Sequence, residues 1–122
     1  MLFKIFIEET GILSIKARGN IDYWEVIDLY KYIQNDDSLP RKLKILINTT
    51  QSKFDFEIKY YEGISKAIEG VIMKYEIIKE AMIVDSPFET AVATMFEDKT
   101  IFENYSFKVF STKEAAQNWL DF

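Results

Sequence analysis

Three stretches of this chain end in a hydroxyl or aspartate residue and run straight into a helical pattern, and the first two are continuously apolar at the centre. They are KLKILINTT (42–50), KEAMIVDS (79–86) and YSFKVFST (105–112). A strand whose centre is continuously apolar, such as Ile45 to Ile47, is covered on both faces. A strand that returns through a helix lies parallel to its neighbour, and such connections are right-handed. This recurrence of strand then helix commits the chain to an α/β layout.

The flanking segments complete the order. Residues 2–7 read as a strand in which Phe3, Ile5 and Ile7 alternate with Lys4 and Phe6. EETG then turns, with Gly11 free to take a positive φ. Residues 12–18 form a second strand with Leu13, Ile15 and Ala17 on one side and Ser14, Lys16 and Arg18 on the other. The pair predicts an antiparallel hairpin with one wetter face. Asp22 is the expected N-cap of the first helix, with Glu25 completing a capping box. Tyr23, Val26, Ile27, Tyr30 and Ile33 make its buried stripe, and Pro40 stops the segment. A long helix is expected from Phe56 to Tyr75, with Tyr60, Ile64, Ala67, Ile68, Val71 and Tyr75 at helical spacing. Asp55 to Lys59 and Glu62 to Lys66 are supporting i,i+4 pairs. A helix from Pro87 buries Phe88, Val92, Met95 and Phe96, and a last one carries Ala115, Ala116, Trp119 and Leu120. The prediction is one domain, 1–122, with a mixed five-stranded sheet in β-β-α-β-α-β-α-β-α order.

Composition narrows the chemistry. The 122 residues are 48% hydrophobic and 16% aromatic, enough for one core without metal or crosslink. There is no cysteine and no histidine. Disulfides, thiolate nucleophiles, cysteine zinc sites and histidine-based triads are therefore excluded. Paired carboxylates remain at Asp36-Asp37 and Asp55-Glu57, in polar segments with nothing to split their pKa values. The reading is not an enzyme, with no cofactor. A net charge of -5 with no basic cluster argues against nucleic acid. No run approaches the ~20 apolar residues of a membrane span, and the N-terminus lacks a signal-peptide core. A cytoplasmic location is expected.

Four features are candidate sites. Asp85-Ser86-Pro87-Phe88-Glu89 reads as a helix start: Ser86 caps, Pro87 takes the first helical position and Glu89 closes the box. Its other reading, an anion site, competes with the negative charge already placed there. Thr49, Thr50 and Ser52 are either turn-and-cap hydroxyls or a phosphorylation target. Gly63, Ala67 and Gly70 form a small-residue stripe. It serves either close helix packing or room for a ligand or second subunit, since glycine inside a helix costs roughly 0.5–1 kcal/mol. Tyr23, Trp24, Tyr30, Tyr32, Phe54, Phe56, Tyr60 and Tyr61 gather around the first two helices. Of these, Trp24, Tyr32 and Tyr61 fall off the buried stripes and outline a groove or a contact surface.

The hairpin, the capped helix, LKILINTT, the long helix, AMIVDSPFETAVATMFE and YSFKVFSTKEAAQNWL together resemble the small STAS-like, or SpoIIAA-like, proteins over nearly the whole chain. The sharpest parts are Val84-Asp85-Ser86-Pro87 and Phe107 to Thr112, followed by Glu114-Ala115-Ala116 and Trp119-Leu120. Ser111 with Glu114 reads as a further capping box. The resemblance implies a sheet wrapped by helices in a βα superhelix, without known catalysis. In the anti-sigma-factor antagonists of that group, a serine in an Asp-Ser-Ser-Gly-like turn after a middle strand is phosphorylated. The matching region, Asn48 to Asp55, offers Thr49, Thr50 and Ser52 and lacks that sequence. Related domains also bind lipids or other apolar ligands between helices and sheet. The expectation is a protein-interaction or regulatory module of unidentified partner, acting as a homodimer; the alternative is a carrier or sensor of a small apolar ligand.

Overall fold

In the computed structural model, Gly11 closes the first hairpin with φ of 69°, a region that glycine enters without a Cβ penalty. The structure describes residues 1–86, 90–91, 93–94, 97 and 102–121, with residue 58 described through its backbone. The hairpin joins β1 (Leu2–Ile7) to β2 (Ile12–Ile21), antiparallel. Then come α1 (Tyr23–Asn35), β3 (Lys42–Phe54), a 3-10 turn (Ile58–Tyr60), α2 (Tyr61–Ile72) and β4 (Ile77–Ile83). Thr90, Ala91, Ala93, Thr94 and Glu97 are helical. The chain ends with β5 (Tyr105–Phe110) and α3 (Lys113–Leu120). The strands lie in chain order, β1-β2-β3-β4-β5, and every pair after the hairpin is parallel. The fold is the mixed α/β sheet that the alternation predicts.

Strand parity assigns the two faces. One carries Leu2 and Phe6, Leu13 and Ile15, Leu43, Ile45 and Ile47, Ile78, and Tyr105 and Phe107. These join Ile27, Leu29, Tyr30 and Ile33 of α1 and Tyr61, Ile64, Ile68 and Val71 of α2 in the main core. The other face carries Ile12, Leu46, Ala81 and Ile83 under Ala116 and Leu120 of α3, with Phe110 and Trp119 packed alongside. Lys79 lies beneath this helix end: its Nζ is 5.2 Å from the Trp119 ring centroid and donates to the carbonyls of Trp119 (3.0 Å) and Asp121 (3.1 Å). Those contacts place a cation at the negative end of the helix.

Several local expectations change. β2 and β3 run three and four residues past the predicted ends, because Arg18 to Ile21 pair with Gln51 to Phe54 after a register shift at Lys16/Arg18. Ladder bonds to β2 satisfy a polar segment that reads alone as a loop. The long helix is shorter than predicted at both ends. Tyr60 is 40% exposed and Tyr61 is buried in its place. Asp55 does not hold Lys59, which pairs with Glu57 at 3.5 Å; Glu62 and Lys66 do pair, at 3.9 Å. The last helix is capped by Thr112, whose side chain accepts from the Ala115 N–H at 3.2 Å, rather than by Ser111. Two adjacent hydroxyls compete for that role, and the one with extended backbone facing the amide takes it. Ala115, expected on the buried face, is exposed, while Ala116 and Leu120 are buried. The expected burial of Phe88, Val92, Met95 and Phe96 lies outside the described residues.

Candidate interaction surface

β1 is an edge strand, and its outer face is uncovered. Phe3, Ile5 and Ile7 are 48%, 64% and 38% exposed. They share a face with Ile12, Ser14 and Lys16, opposite which they lie in β2. That face is the one covered by α3, but α3 packs on β3, β4 and β5 and stops short of β1. Three neighbouring apolar side chains on one strand are therefore exposed where no described helix lies over the sheet. A long, apolar edge is a template for pairing unless charge or a bulge blunts it.

The backbone of that edge can be phased. Met1 and Arg18 exchange both main-chain bonds, amine to carbonyl at 2.7 Å and N–H to carbonyl at 2.9 Å. Antiparallel pairs alternate between bonded and unbonded. Phe3, Ile5 and Ile7 therefore bond inward to β2, and Leu2, Lys4 and Phe6 turn their N–H and C=O groups toward the free edge. On the helix side of the edge, a shallow open groove of about 360 Å³ is lined by Met1, Leu2, Lys4, Glu25, Asp28 and Leu29. Lys4 Nζ stands 4.7 Å from the centroid of Tyr32. Tyr32 is 36% exposed, and partial burial, then Asp36, push its hydroxyl pKa up. Asp36 is held below the usual carboxylate range by the Ser38 hydroxyl and amide, then by Tyr32.

The other residues singled out in the sequence separate. Trp24 is 66% exposed and begins an aromatic ladder. Its ring meets Tyr23 edge-on at 5.0 Å, Tyr23 meets Tyr60 at 5.0 Å and Phe56 at 6.3 Å, and Phe56 meets Phe54 and Tyr61. Tyr61 itself is in the core, where burial raises its pKa, so it lines no surface. The small-residue stripe is packed rather than open. A Cβ on Gly63 would lie 2.9 Å from Tyr23 Cζ, and one on Gly70 would lie 2.9 Å from Gln34 Oε1. Ala67 is half-buried against the core. This is the close helix packing of the first reading, and the space that the alternative needed for a ligand or subunit is filled by side chains of α1.

The hydroxyl trio lies inside β3, not in a loop. Thr49 is fully buried and its hydroxyl donates to the Ile83 carbonyl at 2.6 Å, so it presents no phosphorylation target. Thr50 donates to Asn48 Oδ1 at 2.8 Å and Ser52 to the Thr49 carbonyl at 2.9 Å. Asp22 accepts from the Glu25 N–H at 2.8 Å and caps α1. Ser86 accepts the Thr90 N–H on its carbonyl at 3.0 Å, the backbone position of a cap; the amides nearest its side chain lie outside the described residues.

Sequence reasoning missed Glu80. It is a fully buried carboxylate in the middle of β4. Tyr30 of α1 places its hydroxyl 3.0 Å from both carboxylate oxygens, and the Tyr105 hydroxyl of β5 lies 2.8 Å from Oε2. Burial pushes the Glu80 carboxyl up to about 7, against the opposing pull of the bonds from Tyr105 and Tyr30. Both tyrosines are held well above their usual range, by burial and then by Glu80. The signal was present in strand parity, since Glu80 alternates with Ile78 and Met82.

Among the described residues, no three His, Cys, Asp or Glu side chains group as a metal site, and no helix is long and apolar enough to cross a membrane. No family model matches the chain, and no curated protein matches it. Among solved structures, the chain is similar to an uncharacterized protein from the DUF3478 family with a SpoIIAA-like fold, from Shewanella loihica PV-4. The likeness has a TM-score of 0.59 and 18% identity, and covers 90% of this chain and 84% of that one. At that identity the fold is what carries over, and the chain has the SpoIIAA-like fold that its strand-and-helix order suggested.

Proposed function

We propose that this chain is a non-enzymatic, cytoplasmic protein-interaction module whose first partner is a second copy of itself. The observation that supports it is the uncovered row of Phe3, Ile5 and Ile7 on a free edge strand. Pairing of β1 with the partner's β1 about a twofold axis through Ile5 sets Phe3 opposite the partner's Ile7 and Ile5 opposite its own copy. The same register sets Lys4 opposite the partner's Phe6 and diagonal to the partner's Glu8, and the outward backbone groups of Lys4 and Phe6 bond across the axis. An axis through Lys4 would set like charges face to face, which is destabilising. Isologous pairing of this kind closes on itself and makes no fibre. The regulatory role of such a module follows from what the dimer then presents, including the exposed Trp24 end of the aromatic ladder.

Light scattering on a sizing column tests the reading. The wild type at about 100 μM, a concentration suited to interfaces at the small end of the size range, should elute at twice the 14.4 kDa protomer mass. Ile5→Glu should elute as a monomer with an unchanged circular dichroism spectrum, because Ile5 is 64% exposed. A monomeric wild type, or an Ile5→Glu variant that remains dimeric, would overturn it.

A further inference from the structure

The buried Glu80 has no role in that surface, and its surroundings are unusual. Its register neighbours are Ile45 on β3 and Phe107 on β5, both apolar. From α1 it is met by Tyr30 and from β5 by Tyr105. The buried residues of α2 are Ile64, Ile68 and Val71, with Tyr61 at the helix start. Among the described residues, no lysine or arginine acts on the carboxylate. A buried ionised carboxylate without a cation is costly even when hydrogen-bonded.

A carboxylate offers about four acceptor positions, and the two tyrosines supply one hydrogen each. The ionised group is therefore left short of donors, and a whole charge sits in an apolar layer with no cation among the described residues acting on it. When Glu80 binds a proton that charge is gone, one tyrosine still donates to the carboxyl, and the new hydrogen lies within reach of the other tyrosine oxygen. The shortage of donors and the missing cation both favour the protonated form.

We propose that Tyr30, Glu80 and Tyr105 form a proton-holding cluster, so that the native fold takes up one proton that the unfolded chain has already released, and docking of α1 and β5 on β4 tightens as pH falls through neutrality. The raised carboxyl, near 7 in the fold against an ordinary value of 4.5, agrees with that direction. The proton goes to and from water during opening of the layer, and no other reactant is involved.

Two measurements test it. Carbon-13 NMR of glutamate-labelled wild type, with Glu80 assigned from Glu80→Gln or by through-bond connectivity, should show its carboxyl titrating more than a pH unit above the other glutamates. Urea denaturation at fixed protein concentration should show the wild type losing stability from pH 5 to pH 8 relative to Glu80→Gln, the unfolding constant rising by roughly two orders of magnitude. A Glu80 midpoint at the ordinary glutamate position would overturn the proposal. So would a wild-type minus Glu80→Gln difference that does not change with pH. Where Glu80→Gln fails to fold, the NMR midpoint of the wild type decides alone.

Discussion

The glycines of α2 give a prediction in which equal substitutions have opposite signs. Alanine is favoured over glycine inside a helix by about 1 kcal/mol, so Gly63→Ala and Gly70→Ala begin with the same gain. Their surroundings differ. At Gly70 the new methyl meets the end of the Gln34 side chain, at 2.9 Å from Oε1 and 3.2 Å from Cδ. A glutamine amide swings aside at small cost, and the variant keeps most of its gain. At Gly63 the methyl meets an aromatic ring, 2.9 Å from Tyr23 Cζ and 3.2 Å from Cε1. That ring is held by Trp24, Phe56 and Tyr60. Overpacking of this kind costs about 1–3 kcal/mol, and each ring contact that is loosened adds about 0.5–1.5 kcal/mol. Gly63→Ala should therefore be about 1–2 kcal/mol less stable than wild type, while Gly70→Ala is up to about 1 kcal/mol more stable. Urea denaturation followed by far-ultraviolet circular dichroism reads both. Combining Gly63→Ala with Tyr23→Ala should remove most of the cost, as coupled neighbours do. Equal stabilisation by both alanines would show that Tyr23 does not rest on Gly63 and would refute the packing account of the stripe.

Two further predictions concern local chemistry. Thr112→Ala should cost about 1 kcal/mol by loss of the cap on Ala115, while Ser111→Ala should stay within about 0.5 kcal/mol of wild type in the same denaturation assay. The pH dependence of stability follows from Glu80, whose folded value is near 7 and whose ordinary value is 4.5. A group raised in the fold gives stability that is full below the lower value and lost as pH rises through the upper one. The loss should amount to about 3 kcal/mol between pH 4.5 and 7.5, read as a falling urea midpoint.

The parts of this structure that were legible in the sequence are those decided locally. Asp22 caps α1 because its side chain reaches an amide three residues on, which spacing alone reveals. The parallel order followed from apolar strand centres that lead into helices. What escaped is decided by neighbours distant in sequence. Thr49 to Ser52 form a strand because β2 lies beside them, and nothing in their own polarity says so. Helical spacing puts Tyr60 on the stripe and Tyr61 off it, yet Tyr61 is the buried one, packed against Phe56 at 5.6 Å. Phe3, Ile5 and Ile7 announce a strand but not which face is covered, since that depends on how far α3 extends across the sheet. Glu80 reads as the polar start of a strand. It is in fact the central residue of β4, and its register neighbours on both sides, Ile45 and Phe107, are apolar.

The edge strand and the buried carboxyl lie apart, and that separation decides how they can interact. β1 and β4 have two strands between them, so three spacings of ~4.8 Å put their axes about 14 Å apart. Glu80 also faces the main core, while Phe3, Ile5 and Ile7 face the other way. α1 touches both regions, through Tyr30 to Glu80 and through Tyr32 beneath Lys4. Its two ends are anchored by contacts that do not involve Glu80. Asp22 fixes its start. At its end, Tyr75 donates to the Ile33 carbonyl at 2.6 Å, and Lys74 donates to the Gln34 carbonyl at 2.7 Å and pairs with Asp37 at 2.9 Å. Burial, then Asp36, Asp37 and Tyr32, push the Tyr75 hydroxyl up to about 12, so that clamp keeps its hydrogen across the neutral range. Glu80→Gln should accordingly change the pH dependence of unfolding and leave the dimer dissociation constant at pH 7 within about twofold, well under the ~1 kcal/mol that typical allosteric coupling supplies. Sedimentation equilibrium of the wild type and Glu80→Gln at pH 6 and pH 8 measures this directly. A tenfold difference between them would mean that α1 transmits the proton to the edge, and the independence argued here would be wrong.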